Sequence, residues 1–302
     1  MTLTAIVAGV DLSRPGDQAL ARAVALATVH KARLILVHAQ DDEGPIGVSD
    51  NELVAQLGEV AAALRVAEAG QLASRLARVK DGGVDATVVT REGPPAEILA
   101  ALAAEEHAEL IVVGTHGHSS ISRFLLGSVA EATIRQAPCD VLVSRGPSGD
   151  GLFHHPLVAT DFSPAADRAL RHACRLSAAD APLDVVHAWQ LPAGSWGAKL
   201  LGQDRFPWST VHDAVLASVK VSADAFLAAH GSLGREFHLE LVQGPAATSI
   251  NHTAERGGHD LIALGTHGSR GFRRLLLGSV AEATIRHAPC SVLIAHAELA
   301  ER

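Results

Sequence analysis

Gly114–Val143 reads GTHGHSSISRFLLGSVAEATIRQAPCDVLV, and Gly265–Ile294 reads GTHGSRGFRRLLLGSVAEATIRHAPCSVLI, with 21 of 30 aligned positions identical. One passage written twice, each time near the end of a half, indicates two domains that each carry a copy. Short apolar runs precede the copies, Leu110-Ile111-Val112-Val113 and Leu261-Ile262-Ala263-Leu264, and their length predicts buried strands. Each strand ends on a glycine, Gly114 or Gly265. A second glycine follows, Gly117 or Gly268, and after nine intervening residues comes Gly127-Ser128 or Gly278-Ser279. There the helical segment SVAEATIR opens, Ala-Pro-Cys closes it, and a last strand follows at Val141–Val143 or Val292–Ile294.

A strand, a glycine-bearing loop and a helix N-terminus together make an anion site. Amides of a first helical turn lack intrahelical acceptors, glycine lets the backbone come close, and the helix dipole favours negative charge. Phosphate is the expected guest. Ser128 and Ser279 are also expected to cap their helices, because Glu131 and Glu282 stand three residues on and complete a capping box. A cap alone requires neither the upstream glycines nor the spacer, so a ligand role is expected beside it.

The pattern Gly-x-x-Gly, nine residues, Gly-Ser resembles the nucleotide-binding signature of universal stress proteins and is intact in both halves. The resemblance spans nearly the whole chain, since each half also opens on an Asp-x-Ser strand end, Asp11-Leu12-Ser13 and Asp161-Phe162-Ser163. It implies the ATP-binding subgroup, with the glycine loops around the triphosphate. The implied contacts in the first half are Asp11, Val37, His38, Gly114, Thr115, His116, Gly117, Gly127, Ser128 and Val129. In the second they are Asp161, Val186, His187, Gly265, Thr266, His267, Gly268, Gly278, Ser279 and Val280. Asp11 and Asp161 correspond to the family's nucleoside contact, although a turn-forming or capping aspartate suits the same positions. The main chain at Val37-His38 and Val186-His187 is implied to form the adenine wall, with the imidazoles packed. His116 and His267 are expected to be contacts and not catalysts. No cluster of metal-binding spacing surrounds them, so magnesium is expected to arrive with the triphosphate.

The order of elements suits that fold. The pattern predicts strands at Thr4–Val10, Leu34–His38 and Ala86–Thr90, with helices over about Pro15–His30, Asn51–Val79 and from Pro95 to Glu106. In the second half it predicts strands at Leu157–Thr160, Leu183–His187, Phe237–Val242 and Leu261–Leu264, separated by helices and by a loop over Gln190–Ser209. Strands alternating with helices mean α/β domains with parallel sheets covered on both faces. The expected architecture is two tandem doubly wound five-stranded parallel-sheet domains, 1–146 and 156–302, joined by a Gly- and Pro-bearing linker at 147–155. The resemblance adds an adenine-nucleotide alpha-hydrolase-like fold and an intramolecular pseudo-dimer, in which Val141–Val143 meets Val292–Ile294 and Cys139 and Cys290 stand too far apart for a disulfide. Ligands on such sheets sit beyond the strand ends where strand order reverses, here between strands one and four.

Composition narrows the function. Apolar residues make up 48% of 302 and aromatics 3%, so the core is built from Ala, Val, Leu and Ile. A formal charge of −8 argues against nucleic acid as partner. Three scattered cysteines, Cys139, Cys174 and Cys290, argue for a reducing compartment. MTLTAIVAGVDLSRPG reads as a first strand and not a leader, and no apolar run reaches membrane length, so a cytoplasmic protein is expected. Neither Gly-x-x-x-x-Gly-Lys-Ser/Thr nor Gly-x-Gly-x-x-Gly occurs at a strand end, and no paired carboxylates suggest an activated water. An adenine-nucleotide sensor of the stress response is therefore favoured over its alternative, a slow ATPase or autophosphorylating phosphotransferase. A homodimer of the tandem chain and an unnamed protein partner are left open. The loops differ in charge, Arg123 in the first against Arg270, Arg273 and Arg274 in the second, which suggests that the second either holds triphosphate more tightly or contacts a charged partner that the first does not, with a solvated basic stripe as the structural alternative.

Overall fold

Strands that are apolar at every position, without alternation, belong in a parallel sheet buried on both faces, and both halves place them so. The computed structural model describes residues 2–40, 51–115, 126–191, 208–266 and 277–296. It divides into two units, Met1–Leu152 with His296–Arg302, and Phe153–Ala295.

In the first unit the chain runs β1 (Ala5–Gly9), α1 (Arg14–His30), β2 (Arg33–Gln40), α2 (Asn51–Asp81), β3 (Ala86–Glu92), α3 (Pro95–Glu105), β4 (Leu110–Gly114), α4 (Ser128–Gln136) and β5 (Asp140–Ser144). All pairings are parallel and the order is β3-β2-β1-β4-β5. Ile6 lies opposite Leu34 on one side and Leu110 on the other. Strand order reverses at β1, and the crevice there opens at the carboxyl ends of β1 and β4.

The second unit repeats the scheme. It runs β6 (Pro156–Ala159), α5 (Pro164–Leu176), β7 (Leu183–Trp189), α6 (Trp208–Ala229), a 3-10 turn (Gly231–Leu233), β8 (Phe237–Gln243), α7 (Ala246–Gly257), β9 (Leu261–Gly265), α8 (Ser279–His287) and β10 (Ser291–Ala295). The parallel order is β8-β7-β6-β9-β10. Each half is thus a doubly wound five-stranded sheet. Ile6, Val7 and Ala8 in one, and Leu157, Val158, Ile262 and Leu293 in the other, are fully buried or nearly so. Residues 147–155 begin against α1, where the buried Arg22 guanidinium donates to the carbonyls of Pro147 (2.6 Å) and Gly151 (3.1 Å), and Phe153 is fully buried in the second unit. Among the described residues no helix is long and apolar enough to cross a membrane.

None of the three cysteines is in a disulfide. Burial pushes the Cys139 thiol up to about 12, with the carboxylates of Asp140 and Glu109 adding to it, and burial likewise raises Cys174. Only the thiolate attacks an alkylating reagent. Iodoacetamide at pH about 8 is therefore expected to leave Cys139 and Cys174 unmodified in the native protein, where a free thiol of ordinary pKa reacts. Peptide mapping checks this, and rapid native modification of Cys139 would contradict it.

Candidate functional site

The site begins where β1 and β6 end. Val10 N donates to Val37 O (2.8 Å) and Thr160 N to Val186 O (3.0 Å), so each chain keeps to the sheet one residue longer. Then it turns through a left-handed residue that is not glycine, Leu12 (φ 59°) or Phe162 (φ 61°). Such a conformation costs about 1–2 kcal/mol and persists only where its surroundings impose it. Here short polar side chains do so. Asp11 Oδ1 accepts from Ser13 N (3.0 Å) and from Ser13 Oγ (2.6 Å). Asp161 Oδ1 accepts from Ser163 N (3.1 Å), and Thr160 Oγ1 accepts from Phe162 N (2.9 Å). One oxygen of each exposed aspartate therefore forms the turn, which is the structural role that sequence allowed it. The serines go on to cap the next helix, Ser13 Oγ accepting from Gly16 N (3.1 Å) and Ser163 Oγ from Ala166 N (3.3 Å).

That first helical turn lies hard against the end of β4 or β9. A Cβ on Gly114 would stand 3.0 Å from Pro15 O, and one on Gly265 would stand 2.6 Å from Ala165 Cβ and 2.8 Å from its carbonyl oxygen. Glycine is required here by contact, and the contact brings the Asp-x-Ser turn beside the glycine loop. Thr115 and Thr266 come next, both buried. Their carbonyls accept from Gly127 N (2.8 Å) and Gly278 N (3.0 Å), so the chain that leaves at the threonine is beside it again at Gly127 or Gly278.

The helices that open there correct one expectation. The N-caps of α4 and α8 are Gly127 (ψ 147°) and Gly278 (ψ 142°), with no side-chain cap. Ser128 and Ser279 are already inside the helix, one residue too far along to cap it. Glu131 and Glu282 pair forward with Arg135 (2.8 Å) and Arg286 (2.9 Å), and the N–H of each glycine cap goes to the threonine carbonyl. Glycine at an N-cap loses only a few tenths of a kcal/mol against serine, and the forward ion pair is available to either glutamate. Two things follow: the amides of Ser128, Val129, Ser279 and Val280 have no acceptor within their helix, and the serine hydroxyls are not used as caps. All four residues are exposed.

The other expected residues fall nearby. His38 Nδ1 lies 2.7 Å from Val10 O and His187 Nδ1 lies 2.8 Å from Thr160 O, so the imidazoles brace the strand exits. His116, Gly117, His267 and Gly268, with Arg123, Arg270, Arg273 and Arg274, lie outside the described residues. Among the described residues no group of three or more His, Cys, Asp or Glu is placed to hold a metal. Sequence reasoning missed Leu12, Phe162 and Gly16, where a Cβ would run into Asp11 Oδ1 and where the second half carries Ala166. The spacing Asp-x-Ser followed by proline, an aspartate-supported turn leading into a serine cap, is the signal that points to them.

With this geometry in place, comparison with known proteins is direct. The model of the universal stress protein family matches residues 3–145 and again 153–296. A universal stress protein of Methanocaldococcus jannaschii is 32% identical over 157 residues, 49% of this chain and 84% of that one. One of Mycobacterium tuberculosis is 28% identical over 206 residues, so the match spans only 62% of that relative's length. The crystal structure of a universal stress protein from Archaeoglobus fulgidus shares the fold, with a TM-score of 0.63 at 22% identity, covering 97% of this chain and 98% of that one.

Proposed function

The chain belongs to the universal stress protein family, and on that premise we propose that each half binds an adenine nucleotide, ATP with its magnesium, as a regulatory signal. One observation carries the reading: two helices open on a glycine cap, with exposed first-turn residues whose amides have no acceptor within the helix and a serine that is not the cap, each beside an Asp-x-Ser turn. Such a helix end suits phosphate. The acidic residue of each first turn is neutralised by its own arginine, Glu131 by Arg135 and Glu282 by Arg286.

In this reading Gly114, Thr115, His116, Gly117, Gly127, Ser128 and Val129 hold the phosphates of the first nucleotide. Asp11 meets the ribose and the main chain at Val37 and His38 meets adenine. Gly265, Thr266, His267, Gly268, Gly278, Ser279 and Val280, with Asp161, Val186 and His187, do the same in the second half. A cytoplasmic protein whose surface is read by a partner fits this role. The exposed Ser128 and Ser279 hydroxyls also favour a second reading, autophosphorylation. Phosphate release and mass analysis after incubation with ATP separate the two, since a sensor yields neither free phosphate nor a phosphoserine.

The tryptophans allow the two sites to be told apart. Trp189, Trp196 and Trp208 all belong to the second half, and Trp189 is buried with its ring 5.1 Å from that of His212. ATP titration is expected to show an emission change that saturates with the tighter of two calorimetric binding events. An emission curve that follows the weaker event would reverse the assignment of the tighter site to the arginine-rich loop.

A further inference from the structure

We propose that Phe162 is a positioning residue of the second site, which fixes the exit turn of β6 and so presents Asp161 to the ribose of a nucleotide, a task that in the first half falls to the aspartate itself. What this does for a ligand rests on the function proposed above; the hold on the turn does not.

A left-handed backbone is an outlier for a bulky side chain and has to be imposed. At Phe162 (φ 61°) three contacts impose it. Its N–H donates to Thr160 Oγ1 at 2.9 Å, its ring stacks on that of His187 with centroids 4.4 Å apart and planes 26° from parallel, and the ring of Phe226 on α6 lies 5.8 Å away, tilted by 59°. His187 is fixed in turn, because its Nδ1 lies 2.8 Å from Thr160 O. The residues on either side of Asp161 thus meet at one imidazole, Thr160 through its carbonyl and Phe162 through its ring. Phe226 and Thr160 are buried and Phe162 is half-buried, while Asp161 between its two braced neighbours is exposed. Contact between aromatic rings is directional, so a change of backbone that swings Asp161 aside also parts the stack.

The first half makes the same turn by other means. Leu12 (φ 59°) has no ring, and Val10 stands where Thr160 brings a hydroxyl. The His38 ring keeps its place, with Nδ1 2.7 Å from Val10 O, but its Nε2 faces the Glu68 carboxylate at 3.7 Å. What holds Leu12 is the site residue: Asp11 Oδ1 accepts from Ser13 N (3.0 Å) and from Ser13 Oγ (2.6 Å). Asp161 makes the first of these bonds as well, to Ser163 N at 3.1 Å, but shares the turn with Thr160 and Phe162. A contact that is ordered before the ligand arrives costs less on binding, and the second half orders its own with groups other than the aspartate.

Calorimetry of the full chain, with tryptophan emission to mark the second site, tests this through Phe162→Leu, which installs the residue that the first half carries at nearly the same φ. ATP is expected to bind the second site roughly threefold to tenfold more weakly, the worth of one aromatic pair, and the first site as before. Inorganic tripolyphosphate, which has no ribose, should keep its affinity. Phe162→Tyr, which keeps the ring, should bind ATP as the parent does, and in an Asp161→Ala background Phe162→Leu should bring no further loss. Equal weakening of ATP and tripolyphosphate, or a loss that persists beside Asp161→Ala, overturns the positioning role, as does unchanged ATP affinity in Phe162→Leu. If the parent binds no ATP, the proposed function fails, and hydrogen exchange of the ligand-free protein decides the hold on the turn. The amides at positions 162 and 163 should then exchange several-fold faster in Phe162→Leu than in the parent, and equal rates overturn it.

Discussion

Gly265→Ala is expected to lower the melting temperature of this protein by several degrees, and by more than Gly114→Ala does. The two glycines are equivalent in sequence, yet their surroundings differ. The new methyl at Gly265 would stand 2.6 Å from Ala165 Cβ and 2.8 Å from that residue's carbonyl carbon and oxygen, while at Gly114 the nearest atoms are at 3.0, 3.1 and 3.3 Å. No flexible side chain can yield at either place, because the atoms in the way belong to the first turn of a helix that a serine caps. The clash at Gly265 has to be relieved by moving α5 away from β9. Overpacking of this kind costs about 1–3 kcal/mol, which for a domain of this size is on the order of 2–10 °C. Scanning calorimetry of the two variants measures it, and equal melting temperatures for Gly265→Ala and the parent would show that the strand end and helix do not touch as described.

The second large effect concerns the phosphate site. Ser128→Pro and Ser279→Pro, made together, are expected to weaken ATP binding roughly tenfold to a hundredfold at both sites, the loss that removal of a hydrogen bond to a charged group brings. Proline fits this position without harm to the helix. Its missing N–H lies in the first turn, where no intrahelical bond is lost. The preceding glycines already hold ψ at 147° and 142°, the extended range that a following proline demands. Ser128→Ala with Ser279→Ala removes only the hydroxyls and serves as the control, with a smaller expected loss. Unchanged affinity in the proline pair, at unchanged melting temperature, would mean that these amides do not meet the ligand.

Much of the fold is legible in the sequence because it is carried by short-range features. Apolar runs of four or five residues between turn signals fix β1, β4, β6 and β9, and alternation with helices leaves only a parallel, doubly wound sheet. The helix caps were less legible. Ser-x-x-Glu is a true capping signature, but it fits equally a serine one residue inside a helix whose glutamate pairs four residues on with Arg135 or Arg286, and local pattern cannot choose between them. The strained turn was hidden for another reason. Positive φ is read from Gly, Asn or Asp, whereas here Leu12 and Phe162 are forced into it by Asp11, Thr160 and the serine caps. Least visible of all were the partners of Asp17 and Asp167, which meet Arg75 and His230 from segments distant in sequence that only tertiary packing brings near.

The central claim, that helix N-termini in both halves hold the phosphates of an adenine nucleotide, is tested most directly by isothermal titration of the full chain with ATP and magnesium. The account predicts two bound nucleotides per chain, both weakened in the Ser128→Pro and Ser279→Pro double variant. Absence of binding heat at millimolar ATP, together with no nucleotide retained by the native protein in mass spectrometry, would contradict it.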